Sequence, residues 1–264
     1  MTPPFFSIIT VTWNAEAAVG ATAASLAAQS CDDYEWIIVD GASRDATVEI
    51  ARQWVVPGRD RLLSEPDSGV YSAMNKGLHL ARGQVVQFLN AGDSFADEGV
   101  LGRVREAFDD AVDAVYGDTL LHLADGRIVC RRAGPMGARI RRGMPFSHQS
   151  LFVRRALHRD HPFDEHYRIS ADFGVIAALY SGGARFRYLP EPLNCNTVEP
   201  EALSIRGRRR SAHEDYRVLR RVLGCSRFEA GRVWLTKQAR ITAVNLLQRL
   251  PPGLLPPGIR RRVY

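Results

Sequence analysis

From Phe5 to Leu89 the chain alternates short runs of apolar and β-branched residues with longer segments of helical periodicity, and this alternation restricts its fold more than any other feature. Phe5–Val11 is a continuous apolar run, as expected of a strand buried on both faces, and Ala15–Gln29 is Ala-rich with apolar residues at helical spacing. Trp36–Val39 repeats the strand signal and ends at Asp40-Gly41-Ala42-Ser43, after which Asp45 is placed to cap a helix running to Trp54. Arg61–Ser64 reads as a third strand, Val70–Ala81 as a third helix and Val85–Leu89 as a fourth strand. Strands joined in this way by helices run parallel through right-handed crossovers. The fold class is therefore α/β, a Rossmann-like, mostly parallel sheet flanked by helices, and ligands in such sheets bind beyond the carboxyl ends of the strands.

After residue 100 the signals loosen. Ala114–Tyr116 reads as a strand, Leu120–Arg131 as a hairpin around Asp125-Gly126, and Ala133–Pro145, rich in Gly, Pro and Arg, as a mobile loop. Ser147–Val153 returns to the sheet, Ala171–Tyr180 is helical and Arg185–Leu189 is a late strand. Two amphipathic helices, His213–Leu223 and Glu229–Leu250, close the pattern, separated near Gly224. The net charge of +6 is unevenly spread: residues 201–264 carry 15 Lys and Arg against 4 Asp and Glu, a net of +11, and residues 1–200 a net of −5. The four cysteines, Cys31, Cys130, Cys195 and Cys225, show no metal-ligand spacing and read as reduced thiols of a cytosolic chain. The N-terminus lacks the features of a signal peptide, and no run is long and apolar enough to span a bilayer.

Polar residues cluster where strands end. Asp40 follows the second strand, where it either caps the turn toward Asp45 or accepts a hydrogen bond from a base N–H or a ribose hydroxyl. The third strand leads through Ser64-Glu65-Pro66-Asp67-Ser68-Gly69 into a helix bearing Asn75 and Lys76, and helix N-termini favour anions such as a diphosphate. Lys76 reads either as a solvated helix residue or as part of that edge. The fourth strand runs into Asn90-Ala91-Gly92-Asp93, which places Asp93 either as a turn cap or as a ligand for a divalent cation against phosphate oxygens. Asp172 reads as a helix cap or as a general base, and His148-Gln149 as packing residues or as contacts to a substrate. Trp13, Trp36 and Trp54 read as core or crevice wall.

Six ordered blocks, FSIITVTWNA at 6–15, YEWIIVDGASRDAT at 34–47, SEPDSGVYSAMNKGLHLARGQVVQFLNAGD at 64–93, VYGD at 115–118, SHQSLFVRR at 147–155 and FDEHYRISADF at 163–173, resemble the family 2 inverting glycosyltransferases with the GT-A fold. The resemblance covers roughly residues 5–200 and is closest in kind to the small bacterial enzymes of capsule, exopolysaccharide and glycolipid synthesis. It implies a nucleotide-diphosphate sugar donor and an acceptor that is a lipid-linked saccharide or glycolipid. It also implies residues 1–100 as the nucleotide-sugar half, 101–200 as the acceptor half and 201–264 as a basic helical extension. Thr12 and Asn14 would line the nucleotide pocket, Asp40 would contact the base, and Asp67, Lys76 and Asn90 would sit near the nucleotide and sugar. His148 and Gln149 would touch the acceptor or the diphosphate, and Asp172 would be the general base. The metal motif of relatives, Asp-x-Asp-Asp, reads here Asn90-Ala91-Gly92-Asp93, leaving Asp93 alone to hold Mg²⁺ or Mn²⁺.

Other readings are weaker. Between Thr10 and Gln29 the sole glycine is Gly20, so the Gly-x-Gly-x-x-Gly turn of a dinucleotide oxidoreductase is missing. A non-catalytic nucleotide-sugar binding or scaffold protein remains the alternative, motivated by the altered Asn90–Asp93 segment. The clusters Arg206 to Arg210, Arg217 to Arg221 and Arg260 to Arg262, with the helix between them, read either as a solvated face or as a peripheral contact with an anionic membrane on the cytoplasmic side, worth roughly 1 kcal/mol per cation. Nucleic acid is not expected as a partner, because no reader motif or interleaved aromatic accompanies the charge.

Overall fold

The structure, a computed structural model, describes residues 2–123, 125–197 and 207–248. Nine strands form one sheet: β1 (Phe6–Thr12), β2 (Tyr34–Asp40), β3 (Arg61–Ser64), β4 (Val85–Phe88), β5 (Asp93–Phe95), β6 (Ala114–His122), β7 (Ile128–Arg131), β8 (Leu151–Arg154) and β9 (Phe186–Thr197). Their order is β3-β2-β1-β4-β8-β6-β9-β5, with β7 added to β6 as a hairpin. β1 to β4, β6 and β9 point one way, whereas β5, β7 and β8 run against them. The sheet is thus mostly parallel, as the alternation of strands and helices predicts.

Every residue of β1 and β2 is buried. Alternate side chains supply two cores: Ile9, Val11, Ile37 and Val39 face one side, and Phe6, Ile8, Trp36 and Ile38 the other. Helices α3 (Val70–Leu80) and α6 (Ala171–Ser181) cover the first face together with α7 (Arg208–Arg221), whose Val218 and Leu219 are fully buried there. α1 (Val19–Ala27), α2 (Thr47–Arg52) and α4 (Val100–Ala107) cover the second. The short α5 (Arg155–Asp160) follows β8, and the long α8 (Arg227–Gln248) packs on α7.

Several local expectations are corrected. The segment 133–145 is not a loose loop: it holds a 3₁₀ turn at Gly137–Arg142 and buries Ala133, Met136 and Ile140 in the core, while Asp118 accepts the Ala133 N–H at 2.8 Å. The helix after Asp45 stops at Arg52, and the late strand runs on to Thr197 because it pairs with both β6 and β5. Ser170, not Asp172, occupies the cap position of α6. Arg206, Leu250 and Arg260 to Arg262 lie outside the described residues, as does most of the proposed boundary near residue 200.

Candidate active site

The ladder registers bring the ends of four parallel strands to one edge. Thr12 pairs with Asp40, Asp40 with Ser64, and Ile9 with Phe88, so Asn90 emerges beside the end of β1. Asp40 is 1% exposed. Its carboxylate accepts hydrogen bonds from the hydroxyls of Thr12 (2.9 Å), Ser64 (2.7 Å) and Ser43, and from the Ser43 N–H (2.9 Å). Burial pushes its pKa up, but these donors together outweigh it and hold the group below the ordinary aspartate value. Asp40 is therefore the ionised hub of two loops. To turn back toward it, the chain passes through Ala42 at φ 60°, a left-handed conformation that costs a residue with a Cβ roughly 1–2 kcal/mol. Asn14, at φ 49°, joins the same loops by donating its N–H to Ser43 Oγ (2.8 Å) and accepting the Arg44 N–H (3.0 Å).

Beside this hub opens a cleft of about 510 Å³ lined by Thr12, Trp13, Gly41, Asp67 and Val70, a size suited to a small organic ligand. Trp13 is 70% exposed and offers its ring to the cleft, whereas Trp36 is core. Asp67 accepts the Gly69 N–H at 2.8 Å, and a Cβ at residue 41 would stand 2.7 Å from its other oxygen. The missing side chain of Gly41 thus makes room for the carboxylate. Lys76 donates to the Pro66 carbonyl at 2.9 Å and pairs with Glu65 at 2.7 Å, so it fastens the turn before α3.

A second group of residues meets at the end of β4. His148 Nδ1 lies 3.1 Å from Asp172 Oδ2, and its Nε2 lies 3.4 Å from Asn90 Nδ2. An imidazole protonated at Nδ1 satisfies both contacts, donating to the carboxylate and accepting from the amide. The Asn90 Oδ1 is buried and has no hydrogen-bond partner among the described residues. Asp172 stands in the first turn of α6, where the helix dipole favours an anion, and accepts the Phe173 N–H at 2.8 Å. Gln149 is occupied structurally: its side chain accepts from Ser147 (2.6 Å) and its carbonyl from Gln87 (2.7 Å). Asp93 lies in β5, opposite Asn196 of β9. Among the described residues no three His, Cys, Asp or Glu side chains are grouped closely enough to hold a metal by themselves. Two other carboxylates near Asp172 in sequence are engaged at the surface, Asp164 with His166 and Glu165 with Ser68 and Asn75.

The most important residue missed by sequence reasoning is Glu214 of α7. It is 4% exposed, and its carboxylate accepts the N–H groups of Arg168 (3.1 Å), Ile169 (2.9 Å) and Ser170 (3.0 Å) as well as Arg210 Nε (2.9 Å). Burial raises its pKa, and these donors outweigh that effect and lower it overall. Tyr71 adds a second tie by donating its hydroxyl to the Ile169 carbonyl at 2.5 Å. The loop presenting Asp172 is thereby anchored from both sides. One signal was available: Glu214 and Asp215 are adjacent acids in a strongly cationic segment, and both are buried, Asp215 with Lys237 as partner.

The family model for glycosyl transferase family 2 matches residues 7–156. A glycosyltransferase of PGL/p-HBAD biosynthesis from Mycobacterium bovis is 35% identical over 190 residues, covering 70% of this chain and 73% of that protein. Among solved structures, the mannosyltransferase PcManGT from Pyrobaculum calidifontis, in complex with GDP-Man and Mn²⁺, superposes with a TM-score of 0.67 at 19% identity, covering 99% of this chain and 81% of its own. S. aureus TarS 1-349 in complex with UDP-GlcNAc gives 0.61 at 20% identity, covering 83% and 71%. The two structures share the fold, and the family model, extending over more than half of the chain, carries the assignment: the chain belongs to glycosyl transferase family 2 and is a glycosyltransferase of GT-A type.

Proposed function

We propose that this glycosyltransferase moves a sugar from a nucleotide-diphosphate sugar to an acceptor hydroxyl with inversion, in a single displacement with Asp172 as general base. The observation that carries the proposal is the chain Asn90–His148–Asp172, which couples the carboxylate to the strand edge where the donor cleft opens. The nucleotide occupies the cleft beside Thr12 and Asn14, its base against the Trp13 ring and held at the edge that Asp40 organises. Asp67, Lys76 and Asn90 shape the side toward the sugar. The acceptor oxygen bonds to the anomeric carbon as the bond to the diphosphate breaks; the hydroxyl proton passes to Asp172 and the bonding pair leaves with the nucleoside diphosphate. His148 fixes the orientation of the base, and Gln149 holds the turn that carries it.

A divalent cation fits this edge on one count: Asp93 and the Asn90 Oδ1, which has no partner among the described residues, are hard oxygen donors close in sequence. Two such donors suit Mg²⁺ or Mn²⁺, which take the rest of their shell from water and substrate phosphates. Such an ion would neutralise charge on the departing diphosphate. PcManGT, with GDP-Man and Mn²⁺, supports the donor class and the ion by similarity of fold.

The acceptor is a lipid-linked saccharide or a glycolipid, reached from the cytoplasmic face of the membrane. Phe228, Leu235 and Leu246 are exposed on α8 at positions that share one helical face, with Arg232 against the Phe228 ring, which suits an interfacial helix. No helix among the described residues is long and apolar enough to cross a membrane. A panel of UDP-, GDP- and TDP-sugars, tested with and without Mn²⁺, checks the donor reading. A ligand at a hundredfold excess over its Kd adds about 2.7 kcal/mol, or about 5–10 °C in Tm for a chain of this size. Stabilisation without any transfer or donor cleavage would instead favour a non-catalytic binding protein. Loss of binding to anionic vesicles on deleting 229–264, which removes Leu235 and Leu246, checks the membrane contact, and unchanged binding would refute it.

A further inference from the structure

A second cleft, of about 600 Å³, shares no lining residue with the Trp13 cleft and is lined by Arg131, Arg132, Arg139, Arg142, Gly143 and Pro145. Its arginines come from two places, the end of β7 and the 3₁₀ turn that follows, and Arg240 of α8 adds its field to that of Arg139 at Arg131. Holding like charges together in a concave site costs free energy unless an anion joins them. The protein supplies none: among the described residues Arg131, Arg132, Arg139 and Arg142 form no ion pair, whereas their neighbour Arg141 pairs with Glu229 at 3.5 Å. Partial desolvation, and then the charges of Arg139 and Arg240, lower the Arg131 pKa below the ordinary arginine value, while all four side chains stay open to solvent. The segment is also rigidly placed, because Ala133, Met136 and Ile140 anchor it in the core and the Arg139 guanidinium rests on Gly134, where a Cβ would clash with it at 2.5 Å.

The cleft adjoins the candidate base. Pro145 is three residues from His148, a span of at most about 11 Å of chain. A Cβ at Gly143 would stand 3.8 Å from Asp215 Oδ2 and 3.9 Å from Lys237 Nζ, and Asp215 in turn lies within the field of Asp172. An anion seated on the arginines therefore belongs to whatever approaches Asp172 from the side of β7 and α8, away from the Trp13 cleft.

We infer that this arginine cleft is an acceptor subsite that binds a phosphate or diphosphate group carried by the acceptor. The inference rests on the transfer reading above and deepens it: the hydroxyl offered to Asp172 belongs to a phosphorylated molecule. Guanidinium groups are suited to this, since their planar forks match phosphate oxygens in pairs. The test uses the full chain and inorganic pyrophosphate, titrated calorimetrically with UDP and GDP both present to fill the donor cleft. Arg131→Gln/Arg139→Gln should weaken pyrophosphate binding at least about tenfold, as expected for losing two charge-assisted contacts. Unchanged affinity would overturn the inference. If that variant does not fold, Arg132→Gln/Arg142→Gln, the other two exposed arginines of the cleft, serves in its place with the same two outcomes. Vesicles of phosphatidylglycerol in phosphatidylcholine form the third arm. Loss of vesicle binding in the variant with pyrophosphate binding intact would assign the arginines to a membrane surface and also overturn the inference. Stabilisation of the wild-type chain by sugar nucleotides is read separately, so failure of the donor reading and failure of the arginine site give different results.

Discussion

The pairing of His148 with Asp172 makes the proposed base testable by a double-mutant cycle. In Asp172→Asn the amide oxygen can still accept the Phe173 N–H, now at 2.8 Å, and the amide nitrogen can donate to a His148 tautomer whose Nδ1 is bare. The fold and the donor cleft should therefore survive while the proton acceptor is lost. A general base contributes about a hundredfold to ten-thousandfold, or about 2.7–5.5 kcal/mol on the barrier. His148 acts through one hydrogen bond to a charged partner, worth about 1.5–3 kcal/mol, so His148→Gln should slow kcat by roughly 10- to 150-fold. If His148 only positions Asp172, its substitution costs nothing further once Asp172 is gone: the double variant is as slow as Asp172→Asn, and the coupling energy equals the whole loss of His148→Gln. The assay is single-turnover transfer of radiolabelled sugar, with donor Kd measured on the same preparations. Retention of more than about a tenth of wild-type turnover by Asp172→Asn would remove Asp172 from the chemistry, since a base contributes at least about a hundredfold. Additive losses in the cycle would give His148 a role of its own.

Gly41→Ala should raise the donor Kd about tenfold, the loss of roughly one hydrogen bond, while leaving Tm nearly unchanged, because the new methyl displaces the Asp67 carboxylate from the cleft wall; an unaltered Kd in titrations would refute that placement. Ala42→Gly should stabilise by about 0.5 kcal/mol, the relief of left-handed strain less the entropy of the added glycine, read as a rise of about 1–2 °C in calorimetry. Glu214→Gln should cost about 2 kcal/mol and lower kcat more than donor affinity, because it loosens the loop before Asp172. Both Glu214 and Asp40 have pKa values lowered by folding, so the unfolded chain binds protons first, near pH 4. Their stabilisation is complete above about pH 5 and is lost as the pH falls through the folded values, so Tm should drop on the acid side. Glu214→Gln and Asp40→Asn should each flatten that limb, and an unchanged slope in both would refute the assignment.

Legibility of the fold tracked the distance over which each element is specified. β1, β2 and β4 are visible because burial on both faces leaves a nearly unbroken apolar run, and the half-buried edge strand β3 falls at Arg61–Ser64, the residues its sequence signal marks. β5 is not visible, since three residues owe their strand conformation to β9, a hundred positions away in the ladder Asp93↔Asn196. The segment 133–145 misled through its composition, although Ala133, Met136 and Ile140 sit at i, i+3 and i+7 and do bury together. Asp40 and Asp93 are legible as site candidates because they stand at or beyond the ends of sequence-marked strands, and Thr12 and Asn90 through the family resemblance, whereas the side chains that engage them are set by tertiary pairing.

The C-terminal segment shows what this means for function. Read from charge alone it is a cationic appendage, yet α7 buries Val218 and Leu219 in the main core and sends Glu214 across more than forty residues to the backbone of 168–170. A chain ending at residue 206 would retain all six motif blocks and every residue of the Asn90–His148–Asp172 relay. It should nevertheless fail to transfer sugar, because three backbone donors beside the base lose their partner and the α6 face is left exposed. Measurable turnover by such a chain would show that the loop before Asp172 holds its own shape, and Glu214 would then be a stabilising contact alone.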